Sequence, residues 1–168
     1  GVEQARHDRD SGIPHSITHL EMVSPQDYPR FKKLDVIASM QLYWASADES
    51  NIDLVKPYVD KHAFDHSYPA HSLYKAGATI AGASDWPITT PQPWKAIYQA
   101  VTRKGPKGVL NADEAIDRET MFQAYTLNAA RAMRLENQVG SLKVGKQADM
   151  IVLDRDVFSV NPEALRDT

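Results

Sequence analysis

The run Ala78-Thr79-Ile80-Ala81-Gly82-Ala83-Ser84-Asp85-Trp86-Pro87 constrains the fold more than any other stretch of this chain. Its first half is apolar, small and β-branched. A short apolar run bounded by turn signals reads as a strand buried on both faces, as in a parallel sheet. The run ends in a carboxylate, and Pro87 stops it. α/β barrels place their chemistry at the C-terminal ends of such strands. Asp85 is therefore the first candidate for a catalytic residue. Asp is also common where a chain turns, so the segment alone leaves a capping role open.

Two earlier segments have the same character. Residues 16–22 can form a strand, and residues 36–40 a second buried one. Between them Ser24-Pro25 opens a helix, with Ser24 as N-cap and Pro25 at the first helical position. Tyr28, Phe31 and Leu34 sit at helical spacing and face the sheet. Residues 42–65 are irregular and hold Tyr43, Trp44, Tyr58 and Phe64 among many charges. A long loop after a barrel strand commonly lines the substrate pocket, and Trp44, Trp86 and Trp94 are candidates for it, with Trp94 read first as helix packing.

Helices are expected over residues 67–75, with Gly77 at the C-terminus, over residues 94–103, and over residues 118–133. The last is N-capped by Asp117, with Met121, Ala124, Tyr125 and Asn128 on one face. This alternation argues for β/α units and an α/β fold. Gly140 and Gly145 bracket residues 141–144, and residues 150–153 read as a further strand.

Composition excludes several function classes. A net charge of −3 gives no electrostatic case for nucleic acid or an anionic membrane. No apolar stretch approaches transmembrane length, and residues 1–8 do not read as a signal peptide. The chain has no cysteine, which excludes disulfides and thiolate metal sites and fits a cytoplasmic setting. Any metal must then be held by His and carboxylates, donors that suit zinc, iron, nickel or manganese.

Three motifs resemble those of the amidohydrolase superfamily, in the branch often called amidohydrolase-3. Gly82-Ala83-Ser84-Asp85-Trp86-Pro87 is similar to G-S-D-[WF]-P. His15-Ser16-Ile17-Thr18-His19, with Val23-Ser24-Pro25-Gln26-Asp27 and Val36-Ile37-Ala38-Ser39-Met40-Gln41, resembles H-R-I-E-H … P-E-D … V-I-A-S-M-Q-P. Tyr125-Thr126-Leu127-Asn128-Ala129-Ala130, with residues 140–149, resembles Y-T-x-N-A-A … G-S-L-x-x-G-K-x-A-D. The order is the family's own, and the resemblance covers nearly the whole chain. It implies a TIM-barrel metal-dependent hydrolase of non-peptide C–N bonds, present here as a partial β/α barrel over residues 1–135 and part of a small β-sandwich domain over residues 136–168. His19 would be a metal ligand, and Asp85 both ligand and general base. The resemblance also implies a divalent metal, zinc first, in the complete enzyme, and a small amide-type substrate. Lys143, Gly145, Lys146 and Asp149 belong to a family signature that is structural, with Asp149 fixing a turn.

The chain departs from the pattern at Thr18, where the family has Glu, and at Leu42-Tyr43-Trp44-Ala45, where it has Pro and often a His soon after. The H-x-H pair and the ligands of the fourth and fifth barrel strands are missing. His15 and His19 do not replace them: four residues apart on a strand, they lie about 13 Å from each other, too far for one ion. His62 and His66, with His71, Asp60 and Asp65 nearby, form a loose set that would meet only if helical.

A whole (β/α)₈ barrel takes about 250 residues, against 168 here. The expectation is a C-terminal portion, cut at both ends. Alone it would be inactive, weakly metal-binding and prone to form homo-oligomers. The alternative is a non-catalytic remnant that keeps the fold as a structural or interaction module.

Overall fold

The computed structural model describes all 168 residues. Three short strands, β1 (His15–Thr18), β2 (Val36–Met40) and β3 (Thr79–Gly82), form one parallel sheet in the order β1-β2-β3. The register sets Thr18 beside Ser39 and Met40 beside Gly82. Neighbouring parallel strands in sequence order are what successive β/α units produce, so the α/β reading holds. The central strand is the most buried: Val36, Ile37, Ala38 and Met40 are all sealed from solvent. β1 is an edge and exposes Ser16, Ile17 and Thr18.

The helices follow the apolar pattern. A short helix α1 (Val2–Asp8) precedes the sheet. Helix α2 (Tyr28–Lys33) buries Tyr28 and Phe31 and packs on β2. It begins later than expected, because a 3₁₀ turn over Pro25–Asp27 comes first and the Ser24 side chain makes no cap bond. The stretch after β2 is a chain of 3₁₀ and π turns leading to α3 (Lys61–Asp65). Helix α4 (Ala70–Lys75), shorter than residues 67–75, packs on β3. Helix α5 (Pro93–Thr102) then leads into a two-stranded hairpin, β4 (Lys104–Gly105) with β5 (Gly108–Val109).

Two expected elements are not found as read. The helix read over residues 118–133 is two helices, α6 (Arg118–Tyr125) and α7 (Leu127–Ala132), broken at Thr126 with φ −116° and ψ −93°. Asp117 does cap α6, accepting from the Thr120 N–H at 2.7 Å. Thr126 Oγ1 bonds back to the Phe122 carbonyl at 2.6 Å, a contact that bends helices. The break lets Tyr125 and Asn128 both reach β3. Residues 150–153 form no strand, and Met150, Ile151 and Val152 are exposed. A strand is defined by its ladder, and no segment of this chain lies beside this one to supply it.

The region from residue 136 is instead held by polar turns. Lys146 Nζ donates to the carbonyls of Glu136 and Val139 and to Ser141 Oγ. Gly140 sits at φ 83°, and a side chain there would strike the Thr126 carbonyl oxygen at 2.9 Å. Lys146 is thus structural, as the pattern suggested, whereas Asp149 is exposed and makes no bond that fixes a turn. The chain closes on a 3₁₀ helix over Pro162–Asp167, whose Leu165 is fully buried against α5.

Arg103 has no counterpart in the sequence reading. It is completely buried, and its guanidinium donates to the carbonyls of Leu110 (2.6 Å), Ser67 (3.0 Å), Tyr68 (3.2 Å) and Glu114 (3.5 Å). Burial pushes the guanidinium down to about 10, against the pull of the Glu114 carboxylate. The Glu114 carboxylate accepts from Ser72 N–H and Oγ. This one side chain ties the turn before α4 to the loop after the hairpin.

Candidate active site

His19 follows the last residue of β1, and Asp85 lies three residues beyond β3. Both are therefore at the C-terminal end of the sheet. Both also adopt left-handed backbone, φ 66° at His19 and φ 65° at Asp85. For a residue with a side chain that conformation costs roughly 1–2 kcal/mol. Strain of this kind is tolerated where the surroundings impose it, and it clusters at functional sites.

The two side chains converge. His19 Nε2 stands 3.7 Å from Asp85 Oδ1, with the imidazole half-exposed and the carboxylate less so. Fixed partners hold each one. Gln41, buried at the end of β2, accepts from the His19 backbone N–H at 2.8 Å and donates to Thr18 Oγ1 at 2.9 Å. Thr18, the residue that departs from the family's Glu, thus serves the turn that carries His19. The Trp44 indole N–H donates to Asp85 Oδ2 at 3.3 Å. Oδ2 is taken, and Oδ1 is the oxygen that faces the imidazole.

The end of β3 is clamped from its free edge. The Tyr125 ring packs so closely on Gly82 that a Cβ there would lie 2.6 Å from it. Its hydroxyl donates to the Ala83 carbonyl at 3.1 Å, and the Asn128 amide donates to the Ile80 carbonyl at 2.9 Å. Burial pushes the Tyr125 hydroxyl above its ordinary range, so it remains a donor. Gln41, Tyr125 and Asn128 had no assigned role in the sequence, although all lie within the quoted motifs.

The other candidates do not join this site. His15 is at the opposite end of β1, against Arg6. His62 and His66 do meet, with rings stacked at 4.5 Å, but His66 Nδ1 is bonded to the His62 carbonyl at 2.8 Å. Trp86 is exposed, and Trp94 packs on Phe122 with centroids 5.5 Å apart. Of the three tryptophans, Trp44 is the one whose side chain hydrogen-bonds Asp85. An apolar groove of about 330 Å³ beneath α1, lined by Val2, Ile17, Leu20, Phe31 and Leu34 among others, holds neither His19 nor Asp85.

The donor chemistry of the pair fits a share of a divalent-metal site. Two donors on one tetrahedral ion at ~2.1 Å are about 3.4 Å apart, close to the observed 3.7 Å. No group of three His, Cys, Asp or Glu side chains gathers in the chain.

The profile of the amidohydrolase family matches residues 2–168. The chain is 33% identical over 168 residues to Protein LONG AFTER FAR-RED 3 of Arabidopsis thaliana, covering 97% of this chain and 28% of that protein. It is 35% identical over 101 residues to the N-substituted formamide deformylase of Arthrobacter pascens, covering 60% of this chain and 19% of that protein. The crystal structure of an uncharacterized metal-dependent hydrolase from Pyrococcus horikoshii OT3 superposes with a TM-score of 0.79 at 27% identity, over 96% of this chain and 32% of that one. The chain thus spans less than a third of the length of these relatives.

Proposed function

This chain belongs to the amidohydrolase family, and from that premise we propose that it is part of a metal-dependent hydrolase of small-molecule, non-peptide C–N bonds. The observation that carries the reading is the 3.7 Å approach of His19 Nε2 to Asp85 Oδ1 at the C-terminal end of a parallel sheet. The similarity to a formamide deformylase supports the bond type, and the likeness to a metal-dependent hydrolase supports the metal.

His19 Nε2 and Asp85 would hold the ion, with zinc the first to test because imidazole and carboxylate donors suit it. Such an ion, when bound, would polarise the carbonyl and acidify a coordinated water. The remaining chemistry belongs to side chains of this chain. Asp85 accepts a proton from the attacking water and returns it to the leaving nitrogen, so that water and an amide give an acid and an amine. Trp44 keeps Oδ2 occupied, which directs Oδ1 to the reacting side. Gln41 fixes the turn that presents His19. Tyr125 and Asn128 hold the strand end, so that Asp85 does not drift during the proton transfers.

Two donors do not enclose an ion. We therefore expect the 168-residue chain alone to bind zinc weakly and to be inactive, which is the sense in which a remnant without catalysis remains a second reading. The test is hydrolysis of N-formyl and N-acyl amines by the longer protein loaded with zinc, before and after Asp85→Asn. Activity that vanishes with the substitution supports the proposal. Activity that survives it, or a longer protein inert to all such substrates, overturns it.

A further inference from the structure

Side chains four residues apart lie on one face of a helical turn. His62 and His66 have that spacing, and helix α3 (Lys61–Asp65), with His66 as its C-cap, realises it. Their rings stack with centroids 4.5 Å apart and planes 30° from parallel. The turn that joins them is held from several sides. Asp60 caps its start, accepting from the His62 N–H at 2.8 Å. Phe64, on the opposite face, is buried in the core. The Asn111 amide donates to the Phe64 carbonyl at 2.7 Å, and Arg103 Nη2 donates to the Ser67 carbonyl at 3.0 Å. The two imidazoles are thus presented by fixed backbone, which lowers the cost of binding across them.

The His66 ring shows which of its nitrogens is free. Its Nδ1 lies 2.8 Å from the His62 carbonyl oxygen. A carbonyl accepts and never donates, so Nδ1 carries the proton and Nε2 of the neutral ring keeps its lone pair. Histidines that hold metals are prepared in this way, with one ring nitrogen donating to a carbonyl and the other ligating. The bond also closes the helix: the His66 N–H turns to the Ala63 carbonyl at 3.3 Å, and the ring takes the carbonyl of His62. That capping role accounts for His66 alone. The His62 ring is exposed, makes no hydrogen bond and lies against His66. Asp65 is drawn to Lys61 at 2.5 Å, and Asp60 is engaged as the cap. The donor set is therefore two imidazoles and water.

We propose that His62 and His66 form a second divalent-metal site, selective for imidazole-seeking cations, Cu²⁺ above Ni²⁺ and Zn²⁺. His66 ligates through Nε2, and water completes the coordination. Two nitrogens on one ion at ~2.1 Å are about 3.4 Å apart, which the two rings reach by small rotations about their side-chain bonds. The order among the metals is the usual one for nitrogen ligands, and Mg²⁺ and Ca²⁺, which take oxygen ligands, are rejected. Two protein donors hold the ion reversibly. The pair makes no bond to His19 or Asp85, so this site and the proposed hydrolytic centre stand or fall separately.

The test is a calorimetric titration of the chain with CuCl₂, with the ring signals of its six histidines followed by ¹H NMR. The expected result is a saturable step at one ion per chain. The His62 and His66 signals, assigned by their loss in His62→Ala and His66→Gln, should broaden at a fraction of an equivalent while the others remain. Each substitution should weaken the step at least about tenfold. Gln at position 66 keeps a donor for the His62 carbonyl, and His62 is exposed, so both variants keep the fold, checked by circular dichroism. His19→Ala should leave the step unchanged, and excess Mg²⁺ should not compete. Broadening spread evenly over the histidines, or equal copper binding by wild type and His66→Gln, overturns the site. So does a step lost with His19→Ala, which assigns the ion to the His19–Asp85 pair instead.

Discussion

His19 Nε2 and Asp85 Oδ1 are 3.7 Å apart although their strands, β1 and β3, are not neighbours. The middle strand closes the gap. Gln41 at its end fixes the His19 backbone, and Trp44 just beyond it holds the Asp85 carboxylate. One short stretch after β2 thus sets the distance between two groups that come from either side of it. In the longer protein, Asp85→Asn should lower kcat by at least ~10², the scale of a lost general base. His19→Ala should lower bound metal, read by elemental analysis, with little change in thermal midpoint.

Trp44→Phe keeps the ring and removes the N–H that holds Asp85. Activity of the longer protein should drop about tenfold, with stability changed by no more than ~1.5 kcal/mol, the net worth of one hydrogen bond. An unchanged rate would show that Asp85 is held without Trp44.

Gly82→Ala puts a methyl group 2.6 Å from the Tyr125 ring. Overpacking of this kind costs typically 1–3 kcal/mol. Tyr125→Ala should remove part of that penalty, giving a coupling energy of about 1 kcal/mol or more in a double-mutant cycle read by urea unfolding. Additive effects would mean that the ring moves aside freely.

Arg103→Met removes the donor shared by four buried carbonyls. Buried acceptors left without partners cost about 1–3 kcal/mol each. The variant should lose at least ~3 kcal/mol in urea unfolding, or fail to fold. A loss under ~1 kcal/mol would show that water replaces the guanidinium.

Alkaline pH should unfold the chain. Burial pushes the Tyr68 and Tyr125 hydroxyls up, and burial together with the Glu114 carboxylate pushes Tyr28 up to about 12. In the unfolded chain they ionise near ~10. Above ~10 these three tyrosines hold more protons in the folded chain than in the unfolded one, which outweighs the opposite effect of the single buried Arg103, so stability falls as pH rises. The urea midpoint should be flat up to about pH 9 and fall above ~10, by as much as ~1.4 kcal/mol per pH unit for each tyrosine. Tyrosinate absorbance appearing near pH ~10 for all tyrosines while the circular dichroism stays native would contradict this.

The sequence by itself determined the type and order of the elements that carry the site. Two short apolar runs, at β2 and β3, read as buried parallel strands, and the more polar β1 segment as a further strand. Position at the end of a run drew attention to Asp85, but the run alone left a capping role open, and it was the resemblance to the amidohydrolase motifs that singled out Asp85 and His19. What depends on neighbours in space was not legible. Residues 150–153 have strand composition and no partner strand, so they stay unpaired. The helix read over residues 118–133 breaks at Thr126, and the break lets Tyr125 and Asn128 bond the Ala83 and Ile80 carbonyls at the end of β3, more than forty residues away. Arg103 looks like one surface cation among many until folding brings four carbonyls around it. Local pattern reports which backbone is hidden from water. Only the closed fold decides which buried donors and acceptors find each other, and here that choice sets the distance between His19 and Asp85.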